Sequence, residues 1–438
     1  MWTEPLYTAE EMKRAEAGHD VPTLMQRAGR AVAEEALRRF PDARSFGAVC
    51  GKGANGGDGR IALEVLRSAG RDAAERLEGD VLIDALFGTG FSGAPRPDAA
   101  EVIERLNAAG RPIVAVDVPS GVDASSGEVP DVAVRADLTV TFHGRKVGLA
   151  VAPGRFHTGD VVLADIGLEV QGTAHALVRD DVLRRVPRRG PRDTKYTAGS
   201  VLVVGGSRGM TGAAALAARA AFRADAGYVA IAAPAESLPV LETLVLEAVK
   251  RPLDDVFDAV ERASALALGP GLGRGDDRKA LVRRLLEELD LPTVVDADAL
   301  YGLEPFERTA PTVLTPHSGE LARLLGEDAR WVDAHRLVAA TKAAEKYRCT
   351  VLLKGADTLI AEAGAGVLVH ESSEDGLATA GTGDVLTGVI AAFLAKGLDA
   401  RTAAAAGAAA HTRAAAAAGK PAGLVAGDVV ESLPLALA

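Results

Sequence analysis

At 438 residues the chain is longer than one ordinary core organises, so two domains of similar size are expected. Its composition, 48% apolar and 25% charged, is that of a globular protein, and no apolar run is both long and uncharged enough to span a bilayer. A net charge of -11 argues against nucleic acid or an anionic membrane as partner, because both are held by basic side chains, and any anionic ligand must be gripped locally.

The first residues, Met1-Trp-Thr-Glu-Pro5, have neither a basic start nor an apolar core, so no signal peptide is expected and a cytoplasmic setting is. Cys50 and Cys349 match no metal-ligand spacing and fit a reduced compartment. Residues 10 to 40 read as an amphipathic helix pair (Met12, Leu24, Ala28, Val32, Ala36), interrupted at Gly18 and Pro22, that serves packing rather than chemistry. Phe46-Gly-Ala-Val-Cys50 then reads as a strand, followed by a glycine loop from Gly51 to Gly59 and a helix from Arg60 to Ala69. Strand, glycine loop and helix together cradle phosphate, although the spacing is neither a P-loop nor a dinucleotide fingerprint. Asn55 and Asp58 bring oxygen ligands suited to a cation or to ribose hydroxyls.

The unit repeats twice. Val81-Leu-Ile-Asp84 leads into Ala85-Leu-Phe-Gly-Thr-Gly-Phe-Ser-Gly93, and Ile113-Val-Ala-Val-Asp117 into Val118-Pro-Ser-Gly-Val-Asp123. Parallel strands alternating with helices form an open sheet whose ligands sit beyond the carboxyl ends of the strands, so three loops converge on one crevice. Asp84 and Asp117 each close a strand at that rim, though either alone is equally a turn residue. Thr139 to Phe142 and Val161 to Asp165 read as closing strands.

These three loops closely resemble those of the NAD(P)H-hydrate epimerase family, the YjeF N-terminal domain, over residues 1 to 168. The resemblance implies a Rossmann-like α/β domain that binds the hydrated nicotinamide nucleotide through Ala54, Asn55, Gly56, Gly57 and Asp58, and through Gly88, Thr89, Gly90, Phe91, Ser92, Gly93 and Ala94. It further implies potassium held by Asn55, Asp84 and Ser120, and Asp117 as the acid-base residue facing the substrate. Ala54 stands where the family usually has a second Asn. The stretch between Arg67 and Val81 is short for the strand and helix usual there, so a narrower sheet is expected.

Residues 169 to 192 read as a linker with a helical turn at Asp181 to Arg185, ending in the solvated Pro/Arg run Val186 to Arg192. From Gly199 a large doubly wound domain begins: the strand and glycine loop Ser200 to Gly212, an Ala-rich helix to Ala226, and strands at 228–232, 265–268, 293–295, 313–315, 350–354 and 366–370. Candidate loops at the strand ends are Gly269-Pro-Gly-Leu-Gly273, Asp296-Ala-Asp298, Thr315-Pro-His-Ser-Gly-Glu320 and Lys354-Gly-Ala-Asp-Thr358. His317 alone would be structural, but its loop and Glu320 make it a site candidate; the other histidines have no ligand spacing. Ala378-Thr-Ala-Gly-Thr-Gly-Asp-Val-Leu-Thr-Gly388 is a glycine turn running into an apolar helix, with Asp384 at the junction. Converging amides and a helix N-terminus attract phosphate, whereas a carboxylate repels it. A base acting on a hydroxyl beside that phosphate resolves the conflict better than an N-cap does. The Ala-rich stretch Arg401 to Ala418 reads as a buried helix between Gly397 and Gly419.

These motifs, in this order, resemble the ADP- or ATP-dependent NAD(P)H-hydrate dehydratases, a branch of the ribokinase-like superfamily, over residues 193 to 434, within an expected domain of residues 193 to 438. The two domains together resemble the bifunctional NAD(P)H-hydrate repair enzymes. The resemblance implies that Gly273, His317 and Asp384 contact the hydrated nucleotide, with Asp384 catalytic. ADP would be surrounded by Lys354, Gly355, Ala356, Asp357 and Thr358, and by Glu374, Asp375, Gly376, Leu377, Ala378, Thr379, Ala380, Gly381, Thr382 and Gly383. Implied cofactors and partners are ADP or ATP with magnesium, potassium, hydrated NADH and NADPH, and further copies of the chain in a homo-oligomer. The alternative is a ribokinase-like small-molecule kinase fused to a non-catalytic binding module, which fold alone does not exclude.

Overall fold

In the computed structural model every residue is described except Val170, Gln171 and Ser373; the first two fall in the expected linker, which to that extent lies outside the described residues. The chain forms two compact units, one of residues 5–176 with 333–337, the other of residues 1–4, 177–332 and 338–438.

In the smaller unit six parallel strands lie in the order β2-β1-β3-β4-β5-β6. In chain order these are β1 (Ser45–Cys50), β2 (Asp72–Glu75), β3 (Val81–Ala85), β4 (Ile113–Val116), β5 (Leu138–Phe142) and β6 (Asp160–Ala164). Helices α1 (Ala9–Glu16), α2 (Val21–Arg39) and α3 (Ala54–Ser68) contribute to the core on one face, where Met12, Val32, Ala36, Ala62 and Leu66 join Phe46, Ile83, Val114 and Val140. On the other face Leu82 and Ile113 pack with Ile103 and Leu106. Strands covered on both faces explain the near-continuous apolar runs of the sequence. Pro22 does not interrupt a helix. It sits in the first turn of α2, where its missing N–H costs nothing, and Asp20 caps that turn. The expected narrowing is also corrected: β2 supplies the edge strand through pairs Ser45↔Asp72 to Ala48↔Glu75, and only the extra helix is absent between it and β3.

Nine strands of the larger unit lie side by side in the order β9-β8-β7-β10-β11-β12-β13-β14-β15. They are β7 (Ser200–Val204), β8 (Tyr228–Ala233), β9 (Val249–Pro252), β10 (Ala265–Leu268), β11 (Thr293–Val295), β12 (Thr312–Leu314), β13 (Thr350–Leu353), β14 (Asp357–Ala361) and β15 (Leu368–Glu371). All neighbours pair in parallel up to β13, after which β14 and β15 fold back antiparallel. Helices α4 (Thr211–Arg223), α5 (Ser318–Leu325), α6 (Thr382–Ala395) and α7 (Ala400–Ala418) surround the site described below. Small residues set the packing of α4 on α6: a Cβ at Gly388 would lie 2.1 Å from the Ala217 carbonyl oxygen. The alanine stretch 401–418 is the buried helix expected, ended by left-handed Gly419. Val182 and Leu183, in the helical turn of the expected linker, are buried in the larger unit. No helix among the described residues is long and apolar enough to cross a membrane.

Candidate active sites

In the smaller unit α3 starts at Ala54, not at Arg60. Glycine disfavours a helix, yet here tertiary contact overrides propensity. A Cβ at Gly56 would lie 1.9 Å from the Gly51 carbonyl oxygen, and one at Gly59 would lie 2.5 Å from the Ala85 Cβ. The glycines therefore press the first turns of the helix onto the strand ends. Residues 54 to 58 become a helix N-terminus with no side-chain cap; the Gly57 amide closes the first turn on the Gly53 carbonyl at 3.2 Å, and the amides before it, without a helical partner, suit an anion.

Beside it lies a knot of oxygens. The fully buried Asp84 accepts hydrogen bonds from the Ser120 amide (2.8 Å), the Ser120 hydroxyl (2.6 Å) and the Leu86 amide (3.3 Å). The Asn55 amide nitrogen donates to the Phe87 carbonyl at 2.8 Å, and the Phe87 amide donates to the Ser120 hydroxyl at 2.9 Å. Burial raises the Asp84 carboxyl to about 6 despite these hydrogen bonds, so a cation there would be welcome. Gly88 abuts Asn55, and Phe87 stacks on Phe91 at 4.7 Å, whereas Gly90, Ser92, Gly93 and Ala94 are exposed along the loop.

Asp117 closes β4 in a left-handed backbone (φ 67), a conformation that costs a non-glycine residue energy and aims its side chain across the rim. The fully buried Lys146 donates to its Oδ1 at 2.5 Å, as does the Thr141 hydroxyl at 3.0 Å. Lys146 was visible in the sequence only as a residue between closing strands. Asp58, 7% exposed, shares the crevice, as does the exposed Glu16 at the end of α1, a helix read from sequence as packing alone. Burial first, then the Asp117 and Glu16 charges, push the Asp58 carboxyl up to about 8.

In the larger unit a cavity of about 570 Å³ is lined by His317, Lys354, Gly355, Ala356, Thr358, Glu374, Asp375, Leu377, Ala378, Thr382 and Gly383. Ser318, Ser372, Leu386, Ala408, His411 and Thr412 also line it and were not anticipated, the last four because they come from α6 and α7, read as structural helices. Asp357, Gly376, Thr379, Ala380 and Gly381 do not line the cavity. Asp357 is wholly buried as the first residue of β14, opposite Glu371.

Asp384 lies in the first turn of α6, behind left-handed Gly381 as N-cap, and caps no amide, so the capping reading fails. Around it stand three more acids. Asp296 accepts from the Lys354 ammonium at 2.9 Å and from the Thr387 hydroxyl at 2.6 Å. Asp298 accepts from the Gly273 amide at 2.9 Å and the Arg274 guanidinium at 2.7 Å. Glu320 lies 3.9 Å from Lys354. Burial, then Asp296, raise the Asp384 carboxyl to about 7 against the opposing pull of Lys354, with Asp298 and Glu320 adding to the rise. Burial would lower the Lys354 ammonium, but Asp296 and Glu320 outweigh it and hold it protonated. His317 caps α5, its Nδ1 accepting from the Gly319 amide at 3.0 Å, and so combines a structural role with a place in the cavity wall. The arrangement joins a carboxyl poised near neutrality, a free glycine-rich helix N-terminus and one fixed cation, parts suited to moving a proton beside a phosphate.

Two α/β units with glycine turns and buried acids at their strand ends define a nucleotide-handling enzyme. The larger has the architecture of a ribokinase-like protein from Enterococcus faecalis, with a TM-score of 0.55 at 23% identity over 61% of this chain and 97% of that one. Residues 201–434 match the NAD(P)H-hydrate dehydratase family, and residues 21–74 and 71–148 match the YjeF-related protein N-terminus. The chain is 36% identical to the bifunctional NAD(P)H-hydrate repair enzyme of Moorella thermoacetica over 99% of its own length and 96% of the relative's, and 32% identical to that of Escherichia coli over 93% and 88%. It belongs to the bifunctional NAD(P)H-hydrate repair enzyme family. An ADP/ATP-dependent NAD(P)H-hydrate dehydratase from Bacillus subtilis, co-crystallised with ATP and magnesium, is 28% identical over 59% of this chain and 95% of that one, with a TM-score of 0.54.

Proposed function

We propose that the chain repairs hydrated NADH and NADPH in two steps, residues 1–168 interconverting the R and S hydrates and residues 193–438 returning the S form to NAD(P)H at the expense of ADP, cleaved to AMP and phosphate. The observation that carries this is Asp384, half-buried and bonded to no amide, with a carboxyl held near 7 in the first turn of a helix whose Thr382 and Gly383 line a nucleotide-sized cavity. Asp384 takes the proton of the hydrate's hydroxyl, whose oxygen attacks the terminal phosphate of ADP over the turn from Ala380 to Gly383. Lys354, protonated and fixed by Asp296, balances charge on that phosphate. The ring-nitrogen electrons then expel phosphate, and loss of a proton from the neighbouring ring carbon restores the dihydronicotinamide. Gly273 and His317 border the substrate, and Lys354, Gly355, Ala356 and Thr358 with Glu374, Asp375, Leu377, Ala378, Thr382 and Gly383 surround ADP.

No three His, Cys, Asp or Glu side chains converge among the described residues to hold a metal ion, which suits magnesium carried by the nucleotide's phosphates. Magnesium there would neutralise phosphate charge. In the smaller unit the oxygen-only set of Asn55, Asp84 and Ser120 fits potassium, which would place positive charge beside the substrate-binding helix N-terminus. Ala54 to Asp58 and Gly88 to Ala94 hold the hydrated nucleotide against Asp117. The full-length similarity to two-domain repair enzymes favours this reading over a kinase with a non-catalytic module. The test adds purified protein to hydrated NADH with ADP or ATP and follows recovery of the dihydronicotinamide absorbance. Recovery without nucleotide, or phosphorylation of a simple alcohol in its place, would overturn the proposal.

A further inference from the structure

The acids of the smaller unit's crevice are of two kinds. Asp117 is matched: Lys146 donates to it at 2.5 Å and the Thr141 hydroxyl at 3.0 Å, and Lys146 spends its other hydrogen bonds on Thr141 and the Phe142 carbonyl. Asp58 is not. Its side chain is buried one turn into α3, its Oδ1 has no hydrogen-bond partner, and no ion pair among the described residues involves it. The elements packed around it add no compensating charge. Glu16 at the end of α1 and Asp117 at the end of β4 are negative; α2 meets α3 here through Met25 and Gly29, and the strand ends through Cys50 and Ala85.

A carboxyl so placed, buried with neither a cation nor a hydrogen-bond donor at its Oδ1, is costly to ionise and keeps its proton. Of two neighbouring acids, the one without a cation is the one placed to donate a proton. We propose that Asp58 is the general acid of epimerisation, donating its carboxyl proton to the hydroxyl leaving the hydrated ring carbon, while Asp117, held in place by Lys146 and Thr141, faces the cation formed on the ring. This rests on the epimerase reading above. As the carbon–oxygen bond breaks, its electrons leave with the oxygen, which takes the Asp58 proton and departs as water, and the ring-nitrogen lone pair closes a C=N bond. Water then adds to the opposite face and returns a proton to the Asp58 carboxylate, so no net proton or electron is exchanged. The carboxyl's position near 8 leaves it protonated at neutral pH and still able to give up its proton.

The test is the pH profile of R-to-S interconversion, followed chromatographically, in the wild type and in Asp58→Asn. The wild type should lose rate as pH rises through about 8. The amide keeps the size and polarity of the acid but cannot donate a proton in this way, so kcat should fall about 10²- to 10⁴-fold with KM changed only a few-fold, and the alkaline loss should disappear. A variant that keeps most of its kcat, or keeps the alkaline loss, overturns the proposal. If the variant does not fold, the wild-type profile still decides, since a rate flat from pH 6 to 9 overturns it. A wild-type enzyme that does not speed epimerisation at all overturns the underlying reading instead, whatever its pH profile in dehydration.

Discussion

Replacing Asp384 with asparagine should make the protein more stable and nearly inactive as a dehydratase. The carboxyl is raised from 3.8 to about 7 by burial and by the charges of Asp296, Asp298 and Glu320, with Lys354 alone opposing. A rise of about three units at ~1.4 kcal/mol each is at most ~4 kcal/mol of strain in the ionised folded state. Water reaching the half-buried group reduces this to about 1–3 kcal/mol. The sign follows from linkage: the folded protein holds this proton more tightly than the unfolded chain. The group's contribution to stability is therefore complete below about pH 4 and is lost as pH rises through about 7. Denaturant melts should show Asp384→Asn more stable than wild type by about 1–3 kcal/mol at pH 8 and indistinguishable at pH 4. In the same protein the dehydratase kcat should fall about 10²- to 10⁴-fold, while ADP binds as tightly or slightly tighter. The wild-type rate should rise with pH through about 7, as a base that must be ionised requires. A variant that keeps its rate, loses ADP binding, or melts earlier at pH 8 would show that Asp384 serves the helix rather than the reaction.

Asp117→Asn should slow R-epimer conversion without changing S-epimer dehydration, and should cost about 3–5 kcal/mol in denaturant melts because it strands the buried Lys146 ammonium. Replacing Lys146 with methionine in that background should recover much of the stability but none of the epimerisation. Gly388→Ala should cost at least ~2 kcal/mol, since the new methyl meets the Ala217 carbonyl and the crossing of α4 on α6 must open. Exchanging potassium for sodium should lower the epimerisation rate and leave dehydration unchanged; equal rates in both salts, with only water in the Asn55, Asp84 and Ser120 site of a high-resolution map, would remove the potassium assignment.

The alternation of strand, glycine turn and helix is a local pattern, and the sequence by itself settled the class of fold, the strand-end acids Asp84 and Asp117 and the turn before Asp384. What it misjudged were segments governed by distant contacts. The glycines at 56 and 59 spell a loop by propensity, but β1 and β3 pack so closely against them that a helix forms from Ala54. Lys354 to Thr358 spells a strand-end loop, but pairing with β15 draws Asp357 into an antiparallel strand and out of the cavity. The balance of charge lay further beyond reach. Lys354 meets Asp296 across 58 residues, Thr387 meets Asp296 across 91, and Lys146 meets Asp117 across 29. Which acid keeps its proton depends on burial and on fields from groups only a few ångströms away in space. Sequence names the titratable groups, but only the folded chain decides that Asp117 has a cation, that Asp58 has none, and that Asp384 shares its single cation with Asp296 and Glu320.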